Sequence, residues 1–294
     1  MKSKKIYIVG SINTDLVISS PYMPENGETL TGGGFFTARG GKGANQAVAA
    51  ARLGGNVRMC GCVGDDSFGK EAIASLMADG VDVSHIRIVE NTPTGTAVIV
   101  VVDGNNRIIL DKGANAALCA ADIDRFLAEA QEGDIYLPQL ENPIDVIGYG
   151  LKKAHEKKMY VILNPAPACT EIEPYLQYCD LVTPNESETE LLGGCEHLLS
   201  KAKKLLITLG GEGFKLVDAA GETRFPCLSI HAVDTTAAGD TLCGGLCAGL
   251  VMGKDLAEAA QFGSKAASIA CTRKGAQPSI PTREEVERYG SVAD

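Results

Sequence analysis

Several absences narrow what this chain can be. No apolar stretch approaches the roughly 20 residues needed to cross a bilayer, so no transmembrane helix is expected. No basic run is longer than Lys201-Ala202-Lys203-Lys204, on a chain of formal net charge −10. A surface of that sign repels polyanions and argues against a nucleic-acid scaffold. Small anions stay open, because a helix N-terminus binds phosphate through backbone N–H groups whatever the global charge. No C-x-x-C pair occurs among ten cysteines, and the four histidines are far apart, which argues against a zinc cluster. Cys243, Cys247 and Cys271 fall inside apolar periodic segments, where thiols act as small hydrophobes. Free thiols of that kind fit a reducing cytoplasm. The start, Met1-Lys2-Ser3-Lys4-Lys5, is basic like that of a signal peptide. The apolar run after it breaks at Asn13 and Asp15 with no small-residue cleavage site, so a short tail before a first strand is expected.

What is present is an ordinary globular composition over 294 residues, 45% hydrophobic and 22% charged, with ample chain for a sizeable core. Residues 5–10 form an apolar run ending in glycine, the mark of a strand buried on both faces. Helical spacing then runs from Gly43 to Leu53, a strand from Val57 to Val63, and a helix from Ser67, read as its cap, to Met77. Strand and helix signals keep alternating: 134–137, 144–155, 160–163, 181–183, 186–192 and 205–209. Two Ala-rich helices follow, Gly239–Met252 and Leu256–Cys271. This rhythm predicts an α/β fold, a doubly wound and mostly parallel sheet flanked by helices. One domain over 1–294 is expected, interrupted at about 14–37 and 94–110 by extended, turn-rich stretches. The second holds two β runs around Asp103-Gly104-Asn105-Asn106, a hairpin signal. Such insertions predict a small sheet standing off the body, either a lid over a cleft or a dimer-forming flap.

Four constellations carry chemistry. Asp234-Thr235-Thr236-Ala237-Ala238-Gly239-Asp240 stands immediately before an Ala/Gly-rich helix. Its small residues permit close backbone approach, and the helix mouth offers orphan N–H groups, so an anion site follows from physics alone. Asp240 either complements the helix dipole or acts as a base beside developing negative charge. Gly40-Gly41-Lys42-Gly43-Ala44-Asn45 opens a helix but is no Walker A loop, since Gly43 stands where Ser or Thr is needed. Asn45, with Asn13 and Asp15 past the first strand, offers polar groups that can pair with adjacent hydroxyls of a polyhydroxylated ligand. Asn185 and Glu188 share a helix face; they suit a hydrated Mg²⁺, and equally a capping box. Thr208-Leu209-Gly210-Gly211-Glu212-Gly213 is a glycine-rich turn after an apolar strand, either a plain turn or a place where backbone meets a nucleotide. No Gly-x-Gly-x-x-Gly follows the first strand, which argues against a dinucleotide-binding dehydrogenase.

Together these residues resemble the ribokinase-like (PfkB) family of carbohydrate kinases. The segments 40–45 and 234–240 resemble its two signatures, Asn185-x-x-Glu188 its Mg-associated motif, and the similarity runs from Val9 to Pro281. The resemblance implies transfer of the ATP γ-phosphoryl group to the 5-hydroxyl of D-ribose; 2-deoxyribose, fructose or adenosine are near alternatives, and a non-catalytic sugar sensor a remote one. It implies Asp240 as general base, with Ala237, Ala238 and Gly239 completing an anion hole. Asn13, Asp15, Gly41, Lys42, Gly43, Ala44, Asn45 and Glu141 would bind sugar. Asn185, Thr208, Gly210, Gly213, Gly239 and Ser264 would line the nucleotide site. Asn185 and Glu188 would hold Mg²⁺ partly through water, and Asp234, Thr236, Ala270, Arg273, Gly275 and Ser279 an activating K⁺. Phe262-Gly263-Ser264 departs from the family's Phe-Ala-Asn triplet. Pairing of lid edges between two subunits would protect exposed strands, so a homodimer is expected.

Overall fold

A computed structural model of the chain describes residues 4–289, so the tail expected at 1–3 lies outside it. Thirteen strands form in order: β1 (Ile6–Val9), β2 (Asn13–Ser19), β3 (Gly33–Gly40), β4 (Val57–Gly64), β5 (Asp82–Val89), β6 (Gly95–Val102), β7 (Asn105–Asp111), β8 (Ile135–Pro138), β9 (Tyr160–Leu163), β10 (Leu181–Val182), β11 (Leu205–Thr208), β12 (Phe214–Asp218) and β13 (Gly221–Phe225). Nine α-helices accompany them among the described residues: α1 (Lys42–Arg52), α2 (Ser67–Ala78), α3 (Ala120–Leu127), α4 (Ile144–Glu156), α5 (Glu186–Leu191), α6 (Cys195–Lys201), α7 (Ala238–Val251), α8 (Leu256–Ala270) and α9 (Arg283–Arg288).

The main sheet runs β13-β12-β11-β10-β9-β8-β1-β4-β5. It is parallel from β5 to β11 and antiparallel at the edge formed by β12 and β13. The chain lays down β1, moves outward to β4 and β5, then returns to continue on the other side with β8. Strand order therefore reverses between β1 and β8, and a crevice opens beyond their carboxyl ends, where doubly wound sheets bind ligands. β1 is buried at every residue because both its faces are covered. One apolar layer packs Ile6 and Ile8 against α1 and α7; the opposite layer packs Tyr7 and Val9 against α3 and α4.

A second, four-stranded sheet runs β3-β2-β6-β7. β6 and β7 are joined by the two residues Asp103 and Gly104, both at positive φ, so β7 already begins at Asn105 inside the expected turn. Its strands extend to Asn13, Gly40 and Asp111, a residue or more beyond the 14–37 and 94–110 stretches. The cap of α2 is also corrected: Asp66, not Ser67, accepts the Gly69 N–H. A carboxylate one residue earlier holds the first turn and ties Thr94 to it as well. β5, β12, β13, α3, α6 and α9 were not anticipated from the sequence.

Two glycines set the distance between the site's elements. A Cβ on Gly43 would lie 2.6 Å from the backbone of Gly10, so the start of α1 touches the end of β1 main chain to main chain. A Cβ on Gly244 would lie 2.7 Å from Gln46 O and Ala50 N, so α7 sits directly against α1. That contact brings the first turns of α1 and α7 within side-chain hydrogen-bond reach of each other.

Candidate active site

Asp240 stands in the first turn of α7 and is 7% exposed, its carboxylate turned into the protein. Ala237, the residue preceding the helix, takes φ 59°, a left-handed conformation that an alanine adopts only where surrounding structure imposes it. Asn45 Nδ2 donates to Asp240 Oδ2 at 3.0 Å and Gln46 Nε2 to Oδ1 at 3.0 Å. Burial raises the Asp240 pKa; the Lys42 ammonium and the Asn45 and Gln46 amides oppose this, while Glu141 adds to it. Lys42, mostly buried, would be driven neutral by desolvation, but Asp240, Glu141 and Glu188 hold it charged. The site thus sets one cation among three carboxylates, which keeps Lys42 charged in its partly buried position.

At the switch point, Ser11 Oγ donates a short hydrogen bond to Glu141 Oε2, which also accepts the Lys42 N–H at 3.1 Å. Gly43 N–H donates to Ser11 Oγ at 3.4 Å. Asn13 Oδ1 accepts from Asn115 Nδ2 at 2.8 Å, and Asn115 also clasps both backbone groups of Ile12. Asp15 lies against Gly40; burial and the neighbouring Glu141 push its carboxyl up to about 6. Asn13, Asp15, Asn45, Glu141 and the 41–44 turn therefore converge on one rim. Ala44 and Gly43 contribute backbone and packing there, since both are buried.

A small cleft of about 250 Å³ joins Lys42, Asn185, Glu188 and residues 237–240. A larger one of about 410 Å³ is bordered by Thr208, Gly210, Gly213, Gly239 and Ser264. Thr208, Thr235, Ala238 and Gly239 border both, so the mouth of α7 is the passage between them. Ser264 does reach the larger cleft, in the position where the departure from the Phe-Ala-Asn triplet falls.

Asn185 and Glu188 form the capping box of α5: Asn185 Oδ1 accepts from Glu188 N–H and Glu188 Oε2 from Asn185 N–H, each at 2.8 Å. Burial raises the Glu188 pKa, which its cap bond and Lys42 oppose and Asp240 reinforces. Among the described residues no cluster of three or more His, Cys, Asp and Glu could hold a bare metal. One carboxylate and one amide beside the smaller cleft fit a Mg²⁺ that keeps most of its waters.

On the far side of the 235–238 turn, Asp234 Oδ1 accepts from Thr236 N–H and Oγ1, and Oδ2 from Gly275 N–H at 2.9 Å. Burial would raise Asp234, but these donors and Lys274 hold it below the usual carboxylate range. Ala270 O accepts the Arg273 N–H, Ser279 Oγ donates to Ala276 O, and the Arg273 guanidinium pairs with Glu285. An ionised carboxylate beside the main chain of Gly275 is chemistry that fits an oxygen ligand to a weakly hydrated monovalent cation.

Sequence reasoning missed Ser11, Gln46, Asn115, Gln139, Asn164 and Gln277. Gln277 Nε2 donates to Asn45 Oδ1 at 3.3 Å. Ser11, Gln139 and Asn164 stand just past the carboxyl ends of β1, β8 and β9, so the strand-end rule that led to Asn13 and Asp15 was a usable signal for them. Gln46 directly follows the glycine-rich turn.

A buried carboxylate at a helix mouth, set between a polar rim and two joined clefts at the switch point of a doubly wound sheet, marks the place where an enzyme of this fold would work. The chain belongs to the pfkB family of carbohydrate kinases, whose model matches residues 3–283. It is 41% identical to the ribokinase of Haemophilus influenzae, over 97% of this chain and 98% of that one. The ribokinase of Thermotoga maritima superposes with a TM-score of 0.87 at 37% identity, covering 97% and 99% of the two chains. Arabidopsis thaliana ribokinase, solved with ribose and ATP, superposes with a TM-score of 0.87 at 30% identity, covering 97% and 98%.

Proposed function

We propose that this enzyme transfers the γ-phosphoryl group of ATP to the 5-hydroxyl of D-ribose, giving ribose 5-phosphate and ADP. The observation that carries the reading is Asp240, buried at the passage between the polar rim and the larger cleft. Ribose sits at the rim, its hydroxyls donating to Asp15 and Glu141 and pairing with Asn13 and Asn45. The 5-hydroxyl gives its proton to Asp240 as its oxygen attacks the γ-phosphorus in line, and the electron pair of the broken bond leaves on ADP. Backbone N–H groups of Ala237 to Asp240, with Lys42, face the phosphoryl oxygens. The Ala238 N–H donates to Thr235 O at 3.2 Å, so its recruitment needs the 235–238 turn to loosen. The glycine-rich turn with Thr208, Gly210 and Gly213, together with Ser264, takes the nucleotide.

Asn185 and Glu188 would hold a hydrated Mg²⁺, which neutralises phosphate charge when bound. Asp234 and Thr236, with backbone at Ala270, Arg273, Gly275 and Ser279, would hold K⁺ and stiffen the turn that presents the helix mouth. The four-stranded sheet works as a lid inserted into one domain that spans the chain, keeping water from the phosphate. Between its two faces the sheet exposes Phe35 and Phe36 on β3 and Ile108 and Ile109 on β7, apolar area that supports a homodimer through the lid. Ten free thiols suit a reducing cytoplasm.

Asp240→Asn is the test. Turnover should fall by about 10²–10⁴-fold while ribose still binds within a few-fold of wild type; a variant that stays active overturns the assignment. Equal rates on fructose and ribose in a coupled assay would overturn the choice of sugar.

A further inference from the structure

We propose that Gln46 is a positioning residue, locked by a one-way chain of buried side-chain amides so that it can present only N–H to the Asp240 carboxylate. The inference rests on Asp240 being the base. Side-chain amides have a donor end and an acceptor end of similar shape, so their direction must be set by partners that cannot reverse. Here both ends of the chain are such partners. At one end Asn164 Nδ2 donates at 3.0 Å to the backbone carbonyl of Thr183, which only accepts. That turns Asn164 Oδ1 toward Gln46, whose Nε2 donates to it at 3.0 Å. At the other end the ionised carboxylate of Asp240 only accepts, and takes the second proton of the same Nε2 at 3.0 Å. Gln46 Oε1 is left to accept from Gln139 Nε2 at 2.5 Å.

Gln46 and Gln139 are fully buried, and only Asn164 and Asp240 border the smaller cleft, so the Gln46 amide itself is out of reach of bulk water. Turning Gln46 over would set oxygen against oxygen at both Asp240 and Asn164, and N–H against N–H at Gln139. Three hydrogen bonds would be lost together in a low-dielectric interior, where unmade polar contacts are expensive. Because Asn45 occupies the second carboxylate oxygen, each oxygen of Asp240 has one acceptor site already taken by an amide. The incoming hydroxyl proton must therefore go to a remaining lone pair, which fixes how the base meets its substrate. The donors also favour the ionised form against the desolvation that opposes it.

The experiment compares wild type with Gln46→Met and Gln139→Met, neutral changes of similar size, by pH profiles of kcat and of kcat/KM for ribose. Gln46→Met should lower kcat about tenfold or more at pH 7 and move the acid limb up by about one pH unit, the worth of one hydrogen bond to a charged acceptor. Gln139→Met, which never touches Asp240, should move the limb the same way by less, because Gln46 is then free to turn. KM for ATP should stay within about twofold in both, since neither side chain borders the nucleotide cleft. A folded Gln46→Met enzyme whose acid limb overlies that of wild type overturns the proposal; should that variant not fold, the limb of Gln139→Met decides in the same way. An Asp240→Asn enzyme that keeps its turnover would instead remove the base, which separates the two failures.

Discussion

Replacing Asp15 by Asn should make the sugar-free protein more stable while weakening its hold on sugar. Asp15 and Glu141 face one another across the rim, and burial together with that second carboxylate moves Asp15 from 3.8 to about 6. A carboxyl whose pKa rises on folding is bound to its proton more tightly in the native than in the unfolded chain. The contribution of Asp15 to stability is therefore present below about pH 4, is lost as pH climbs to about 6, and levels off above that. The gap corresponds to about 3 kcal/mol at most, and on the order of half that once screening at a partly open side chain is allowed for. The amide introduced by Asp15→Asn carries no charge and escapes this cost. At pH 8 the melting midpoint of that variant should exceed the wild-type value by roughly 5 °C, with the difference vanishing near pH 4. Thermal melts across that range, without sugar, measure it directly. Ribose affinity should fall at least about tenfold, since an amide offers one acceptor oxygen in place of two. A midpoint difference that is negative, or that does not change with pH, would refute the electrostatic picture of the rim.

Gly43→Ala should cost about 1–3 kcal/mol in a urea titration, because its Cβ meets main-chain atoms of Gly10 and Ser11 that cannot move aside; an unchanged midpoint would count against the close approach of α1 to β1. Removal of divalent ions by EDTA should abolish turnover, and Glu188→Gln should need about tenfold more Mg²⁺ for half-maximal rate. An unaltered Mg²⁺ titration in that variant would remove Glu188 from the metal site. Light scattering at micromolar concentration should give twice the chain mass for wild type and the single-chain mass for Ile109→Glu, whose side chain is 73% exposed on β7; a monomeric wild type would sink the lid-mediated dimer.

Much of this architecture can be read from local pattern, because β1, α1, α7 and α8 carry continuous apolar or Ala-rich runs that bury on both sides. The edge of the sheet is harder to read. β12 and β13 mix Lys215, Glu222 and Arg224 into half-exposed strands, and cross-strand pairs such as Lys215–Glu222 replace apolar contrast. β5 pairs only on one side and reads as weak alternation. In the site, the glycines and Asp240 stand out because their spacing is local. The amides do not: Gln46 meets Gln139 across 93 residues and Asn164 across 118, and nothing in their neighbourhood announces a partner so distant. Asn185 and Glu188 illustrate a different limit, since one pair of side chains caps a helix and borders the smaller cleft together.

The bond between Asn45 and Asp240 closes a loop of 195 residues. The start of α1 is therefore made long before the helix that carries Asp240. β1 likewise waits for β8, more than 100 positions later, before its second edge is covered. Until β8 is made that strand edge stays bare and open to pairing with another chain, whereas Asn45 meets Asp240 only once α7 has followed, so the edge is protected well before the buried carboxylate is in place.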